Sequence, residues 1–212
     1  MSMCIYHGNC ADGFGAACVV RKALGDIDFH PGKYQEPPPD VTGKDVVMVD
    51  FSYKRPVLLE MAAKANSILI LDHHKTAAED LVDLPANVTA KFDMSHSGAM
   101  MTWEHFFPGQ EPPPLLLHIE DRDLWRFALQ NTRQIQANVF SFPYDFQVWD
   151  TLIASAPETL AAEGEAIERK HFKDIRELLS VTTREMVIGG HRVPVANLPY
   201  TMSSDAGHEL AK

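Results

Sequence analysis

Three short apolar runs, Met3-Cys4-Ile5-Tyr6, Val46-Val47-Met48-Val49 and Ile68-Leu69-Ile70-Leu71, each stop on side chains that can hold a metal. Their terminators are His7, Asp50 and the tandem Asp72-His73-His74. Helical patterns separate the runs. After Asp12 come Ala16, Ala17, Val19, Val20, Ala23 and Leu24 up to Gly25, and Val57, Leu58, Met61 and Ala62 form an apolar stripe over residues 53–65. A further strand is expected at residues 27–30, and the prolines at 37–39 require a loop. Runs that are apolar throughout suit strands buried on both faces, and strand–helix–strand alternation at this spacing predicts βαβ units and a parallel sheet. Such sheets carry their ligands at the carboxyl ends of the strands, so the three terminators are expected at one edge.

The remainder reads as more helical. Residues 97–107 place Ala99, Met100, Trp103, Phe106 and Phe107 at helical spacing, as plain core. A proline loop at 112–114 leads through Leu115-Leu116-Leu117-His118-Ile119 into Glu120-Asp121-Arg122-Asp123. A long helix is predicted over residues 157–183, and Gly189-Gly190 marks a hairpin turn.

Composition narrows the class. A chain of 212 residues with 45% hydrophobic and 23% charged side chains is ordinary globular protein, which excludes wholesale disorder. No apolar run approaches the roughly 20 residues that span a bilayer, and no basic-then-apolar leader opens the chain. Three cysteines within the first 18 residues do not suit a disulfide framework, so reduced thiols in a cytoplasmic protein are expected. With 19 basic against 29 acidic residues the net charge is −10, which argues against a grip on long duplex nucleic acid. No membrane partner is expected either.

The candidate ligands are His7, Cys10, Asp12, Asp50, Asp72, His73, His74, Asp121 and Asp123. Carboxylate and imidazole together suit manganese, iron or zinc, with magnesium a further option. Aspartates gathered without a cation repel one another and raise their own pKa values. Asp50 has two oxygens, enough to bridge a pair of ions about 3.5–4 Å apart.

Four motifs carry a resemblance to a known family: His7-Gly8-Asn9-Cys10-Ala11-Asp12-Gly13, Val49-Asp50, Leu71-Asp72-His73-His74 and Glu120-Asp121-Arg122-Asp123-Leu124-Trp125. In this order they resemble the DHH family of phosphoesterases, which includes RecJ-type exonucleases, short-oligonucleotide and cyclic-dinucleotide phosphodiesterases, and family II pyrophosphatases. The resemblance implies a Rossmann-like α/β catalytic domain with a parallel sheet over residues 1–155 and a linker helix over 156–188. A short, incomplete α/β segment over 189–212 would begin an accessory substrate-binding domain. It implies two divalent ions, most naturally manganese: one on His7, the Cys10 position and Asp50, the other on Asp12, Asp50, His73 and Asp121 or Asp123. Asp72 would orient the His73 ring, and His74 would face the scissile phosphate. The reaction implied is in-line attack by a metal-activated water on phosphodiester or phosphomonoester bonds of small nucleotide-type substrates.

Two departures accompany the resemblance. Relatives often carry aspartate where this chain has Cys10, a softer ligand. No Gly-Gly-Gly-His element occurs, so residues 193–197 and 204–210 read as the start of an accessory domain, either truncated or completed by a partner subunit, docked on the catalytic domain or paired across a homodimer. Lys75, Arg122 and Arg126 flank the motifs and are candidates to steer phosphate. His30, His96, His105, His118, His171, His191 and His208 are read as structural or surface residues. Trp125 is core, cleft wall or a base-stacking ring. The competing readings are a nucleotide- or metal-binding regulatory module without turnover, and a pyrophosphatase.

Overall fold

The structure is a computed structural model and describes residues 2–211. Its centre is a sheet of five parallel strands, β1 (Ser2–His7), β2 (Asp28–Gly32), β3 (Asp45–Val49), β4 (Ser67–Asp72) and β5 (Val88–Phe92), in the order β2-β1-β3-β4-β5. The α/β class and the parallel sheet expected from the apolar runs are both present. The chain leaves β1 for the β2 edge and then returns past β1 to β3. This reversal is the topological switch point at which open α/β sheets bind ligands, just beyond the strand carboxyl ends. His7 and Asp50 stand on its two sides.

Helices α1 (Ala11–Leu24), α2 (Arg55–Ala62) and α3 (Lys75–Asp80) connect these strands. Alternate side chains of each strand point to opposite faces. Cys4, Val47, Val49 and Leu71 pack with α1 residues such as Phe14, Ala17 and Val20 in one layer. Met3, Ile5, Val46, Met48, Ile68 and Ile70 pack with Leu58 and Met61 of α2 in the other. Fully burying one such side chain stabilises the fold by about 1.5–3 kcal/mol, so these layers fix the strands whose polar ends form the site.

The first layer continues through α4 (Gly98–Phe106), α5 (Pro114–Asp123), α6 (Thr132–Val139) and α7 (Phe146–Ala154). The long helix α8 spans Pro157–Thr182, within the range its apolar spacing predicts. It lies so close to α6 that a Cβ on Gly164 would stand 1.8 Å from the Gln134 carbonyl oxygen, and only glycine fits. β6 (Arg184–Ile188) and β7 (His191–Val195) form the expected hairpin. Its turn uses Gly189 and Gly190 at φ 59° and 84°, the left-handed pair that a tight two-residue turn demands. A short helix, α9 (Ser203–Leu210), follows.

The structure differs from the sequence reading at two strands. β2 extends through Pro31 to Gly32, tolerated because it is an edge strand. β5 was not anticipated: Thr89 and Lys91 interrupt its apolar residues, the signature of an opposite edge buried on one side. Among the described residues no helix is long and apolar enough to cross a membrane.

Candidate metal centre

β1 delivers His7 at its end, and the Asn9 turn (φ 58°) leads into α1, whose first turn carries Asp12. Gly13 allows this approach, since a Cβ there would lie 2.4 Å from the His7 carbonyl oxygen. β3 delivers Asp50, held at φ 53°, a left-handed conformation that costs a branched residue more than aspartate. β4 delivers Asp72, His73 and His74.

These residues converge. One ring nitrogen of His7, one of His74 and an Asp50 oxygen all lie within 4.8 Å of one another, and so do ligand atoms of Asp12, Asp50 and His73. The two groups share Asp50. Its Oδ2 lies 3.4 Å from His7 Nδ1, and its Oδ1 lies 3.1 Å from His73 Nε2. Both oxygens and His7 Nδ1 are buried without a hydrogen-bond partner. His73 Nε2 also approaches Asp12 Oδ2 (3.8 Å) and Asp123 Oδ2 (3.5 Å).

Asp12 is aimed by α4. The Gly98 amide donates to its Oδ2 (2.6 Å) and the Ala99 amide to its Oδ1 (2.9 Å), where the helix N-terminus favours negative charge. A Cβ on Gly98 would lie 2.4 Å from the Asp50 Cβ, so position 98 must be glycine for both aspartates to be present. Buried Glu120 secures this helix start by accepting from the Ser97 amide (2.9 Å), and Arg126 Nη1 donates to the same carboxylate (3.1 Å). Ser97, Gly98 and Glu120 were not among the predicted site residues.

The fourth motif is divided between two roles. Asp121 accepts from the Ala128 and Leu129 amides (2.8 and 3.0 Å) and from the Thr132 hydroxyl (2.6 Å), and so pins the turn before α6. Asp123 is the member that faces His73. Asp72 also departs from expectation. Its Oδ1 holds Nδ1 of His74 (2.6 Å), not the ring of His73, and accepts the His73 and His74 amides, while the Ser52 hydroxyl donates to Oδ2 (2.5 Å). Because Asp72 lies at the end of β4 with its side chain buried, its reach is to the ring two residues on.

Cys10 belongs to neither three-atom group, although Asp50, Asp12 and Asp123 are close enough to act on it. Burial and those carboxylates push its thiol well up, against the pull of the Gly13 amide. Lys75 points to solvent beside Glu79. Arg126 is tied to Glu120 and to the Ser95 carbonyl. Of the three basic candidates, Arg122 is the one that is largely buried, stacked on Trp125. The structure therefore joins His7, Asp12, Asp50, His73, His74 and Asp123, and leaves Lys75, Arg126 and Asp121 outside.

The charges inside this cluster conflict. Burial and the neighbouring Asp50 and Asp123 raise the Asp12 carboxyl well above the ordinary range, and burial with Asp50 raises Asp123. Burial also works against the charge on Asp50, yet the His7 and His73 rings hold its carboxyl below the usual range. Burial opposes a charged His73, but Asp50, Asp12 and Asp123 prevail and lift it to about 9. These shifts mark a buried group of carboxylates that needs positive charge beside it, which the His7 and His73 rings supply in part. Divalent cations would do the same with a stronger field.

Fold and site together define a parallel-sheet α/β protein with a histidine–aspartate cluster at the switch point. No protein-family model matches the chain. It is 32% identical over 166 residues to the uncharacterized protein R106 of Acanthamoeba polyphaga mimivirus, a match that covers 70% of this chain and 39% of that protein. The chain thus spans about two fifths of the length of this curated relative. A crystal structure of an uncharacterized protein from Helicobacter pylori G27 superposes with a TM-score of 0.53 over 99% of this chain and 69% of that one. At 14% identity this likeness concerns the fold alone.

Proposed function

We propose that the chain is a metal-dependent phosphoesterase that hydrolyses phosphodiester or phosphomonoester bonds of small nucleotide-type substrates, in keeping with its resemblance to the DHH family. The observation that carries this reading is Asp50. A fully buried carboxylate whose two oxygens face two different ligand groups, with only the His7 and His73 rings beside them and no hydrogen bond made to either oxygen, is a group suited to further cationic partners. The donor set of imidazole and carboxylate fits a divalent ion such as manganese on each side.

His7 and Asp50, with the Cys10 thiol nearby, would hold one ion; Asp12, Asp50, His73 and Asp123 would hold the other. Bound there, two such cations acidify a water nucleophile and neutralise the charge that gathers on phosphoryl oxygens. The protein's own residues do the rest. Asp72, fixed by Ser52, holds the His74 ring at Nδ1, and one nitrogen of that ring belongs to the His7–Asp50 group. From there His74 donates to a phosphoryl oxygen. The α4 amides keep Asp12 turned toward Asp50 and away from solvent. The net charge of −10 disfavours long polyanions, which leaves short substrates as the suitable class.

The test is hydrolysis of a chromogenic phosphodiester, short oligonucleotides and pyrophosphate with added manganese. The reading requires turnover of a phosphoester by the wild type and its loss in Asp50→Asn. No turnover, or equal turnover by the variant, overturns it.

A further inference from the structure

Beside the metal cluster lies a cavity of about 490 Å³ that reaches from Asn9, in the first motif, across α6 and α8 to α9. Its lining holds two arginines against two carboxylates, Asp205 and a Glu168 that accepts from the Gln134 side chain. Arg122 and Arg133 both enter it, each spread over aromatic rings: Arg122 over Trp125 at 4.2 Å from the ring centre, Arg133 over Phe127 at 3.6 Å. The side chain of Arg122 is only 17% exposed. His171 of α8 completes the cluster.

An anion already sits in it. Asp205, on α9, places one carboxylate oxygen 3.6 Å from Arg122 Nη2 and 4.0 Å from Arg133 Nη1, and the other 3.0 Å from His171 Nε2. One carboxylate faces three cationic or donor groups, and neither guanidinium reaches it at hydrogen-bond distance. Two guanidiniums and an imidazole offer more donors than a carboxylate has lone pairs, and suit the three oxygens of a phosphate better. Arg122 directly precedes Asp123, so the cluster adjoins the proposed reacting centre. Tyr144, Phe140 and Phe172 line the same cavity with the apolar surface that a nucleobase stacks on.

We propose that Arg122, Arg133 and His171 form the subsite for a phosphate of the substrate that is not cleaved, with the attached base against the aromatic wall, and that Asp205 occupies the place of this phosphate until substrate displaces it. The substrate class is then a short nucleotide with a second phosphate, and α9 is a strap that substrate binding loosens. The inference rests on the phosphoesterase reading for its reaction, but the binding step requires no metal.

Adenosine monophosphate is therefore titrated into the full, chelator-treated chain, and the emission of Trp125 is followed. Trp125 stacks on Arg122 and donates to His208 of α9 at 3.3 Å, so displacement of Asp205 must alter it, and the change must vanish in Trp125→Phe. Asp205→Asn removes the competing carboxylate and should tighten binding roughly threefold or more, whereas Arg133→Gln should weaken it roughly tenfold. A purely structural Asp205 would weaken binding, or leave it unchanged, when replaced. Should Arg133→Gln fail to fold, Arg133→Lys, which keeps the charge but not the fork, should still weaken binding.

Turnover gives the second readout. The manganese-loaded wild type should prefer a dinucleotide with a 5′-phosphate over the same dinucleotide without it, and Arg133→Gln should lose that preference while still cleaving both. No saturable emission change at millimolar nucleotide, or no tightening in a folded Asp205→Asn, overturns the subsite. Equal cleavage of the two dinucleotides by the wild type overturns it as well, and leaves the phosphoesterase reading standing. Nucleotide binding without any cleavage overturns that reading and leaves the subsite standing.

Discussion

Gly98 and Asp50 are packed so closely that no side chain fits between them: a Cβ at position 98 would be 2.4 Å from the Asp50 Cβ and 2.8 Å from its Cα. The same glycine donates its amide to Asp12. The start of one helix thus sets the separation of the two aspartates that the metal reading needs together.

Gly98→Ala should accordingly damage the centre more than the fold. Overpacking of this kind costs about 1–3 kcal/mol, and here it falls on Asp50 and on the Asp12 amide contact. Isothermal titration with manganese should show a loss of affinity of roughly tenfold or more, alongside a lowered melting temperature. Unchanged affinity would mean that Asp50 does not need its present position.

The two aspartates of the fourth motif should separate by phenotype. Asp121→Asn disturbs a carboxylate with three donors and should lower unfolding stability by about 1–3 kcal/mol in urea, with metal stoichiometry intact. Asp123→Asn should leave stability nearly unchanged, because it relieves repulsion with Asp50, but should weaken metal binding and turnover.

Asp72 acts through His74. Replacing Ser52 by alanine frees one Asp72 oxygen, and Asp72→Asn weakens the bond that fixes the His74 ring. Turnover should fall by roughly 10–100-fold in Asp72→Asn and less in Ser52→Ala. In both variants kcat should fall more than KM rises.

Stability should also fall with acid through His118. This ring is buried against the Thr132 hydroxyl (2.8 Å), and burial lowers its pKa below the ordinary value, so it folds neutral. The unfolded chain takes up a proton near the ordinary pKa of about 6.5. The stabilising contribution is therefore complete above that pH and is lost as pH falls toward the folded pKa. His118→Gln should flatten the decline in melting temperature between pH 7.5 and 5.5, about one unit on either side of that midpoint.

The histidines and aspartates on strand ends were legible in the sequence because an apolar strand has a definite end and a parallel sheet collects such ends at one edge. By that logic His7, Asp50 and His73 belong at one edge, where the structure has them. The strand pattern says nothing of Ser97, Gly98 or Glu120, which reach the site through the packing of α4 and α5, a long-range event without a local pattern. Asp72 was misread for a related reason. Which of two adjacent rings a carboxylate holds depends on backbone direction after the strand, not on spacing. The neighbours Asp121 and Asp123 look equivalent as letters, and only the course of the α5–α6 turn assigns one to backbone amides and the other to His73. Strand β5 was hidden by its polar positions, and the Asp205 contacts by the more than 70 residues between α5 and α9.

The central claim is that Asp50 lies between two cations. Crystals grown with manganese and measured at an energy where manganese scatters anomalously would test it directly. The account predicts two anomalous peaks about 3.5–4 Å apart with one Asp50 oxygen toward each. A single peak away from Asp50, or none at saturating manganese, would contradict it.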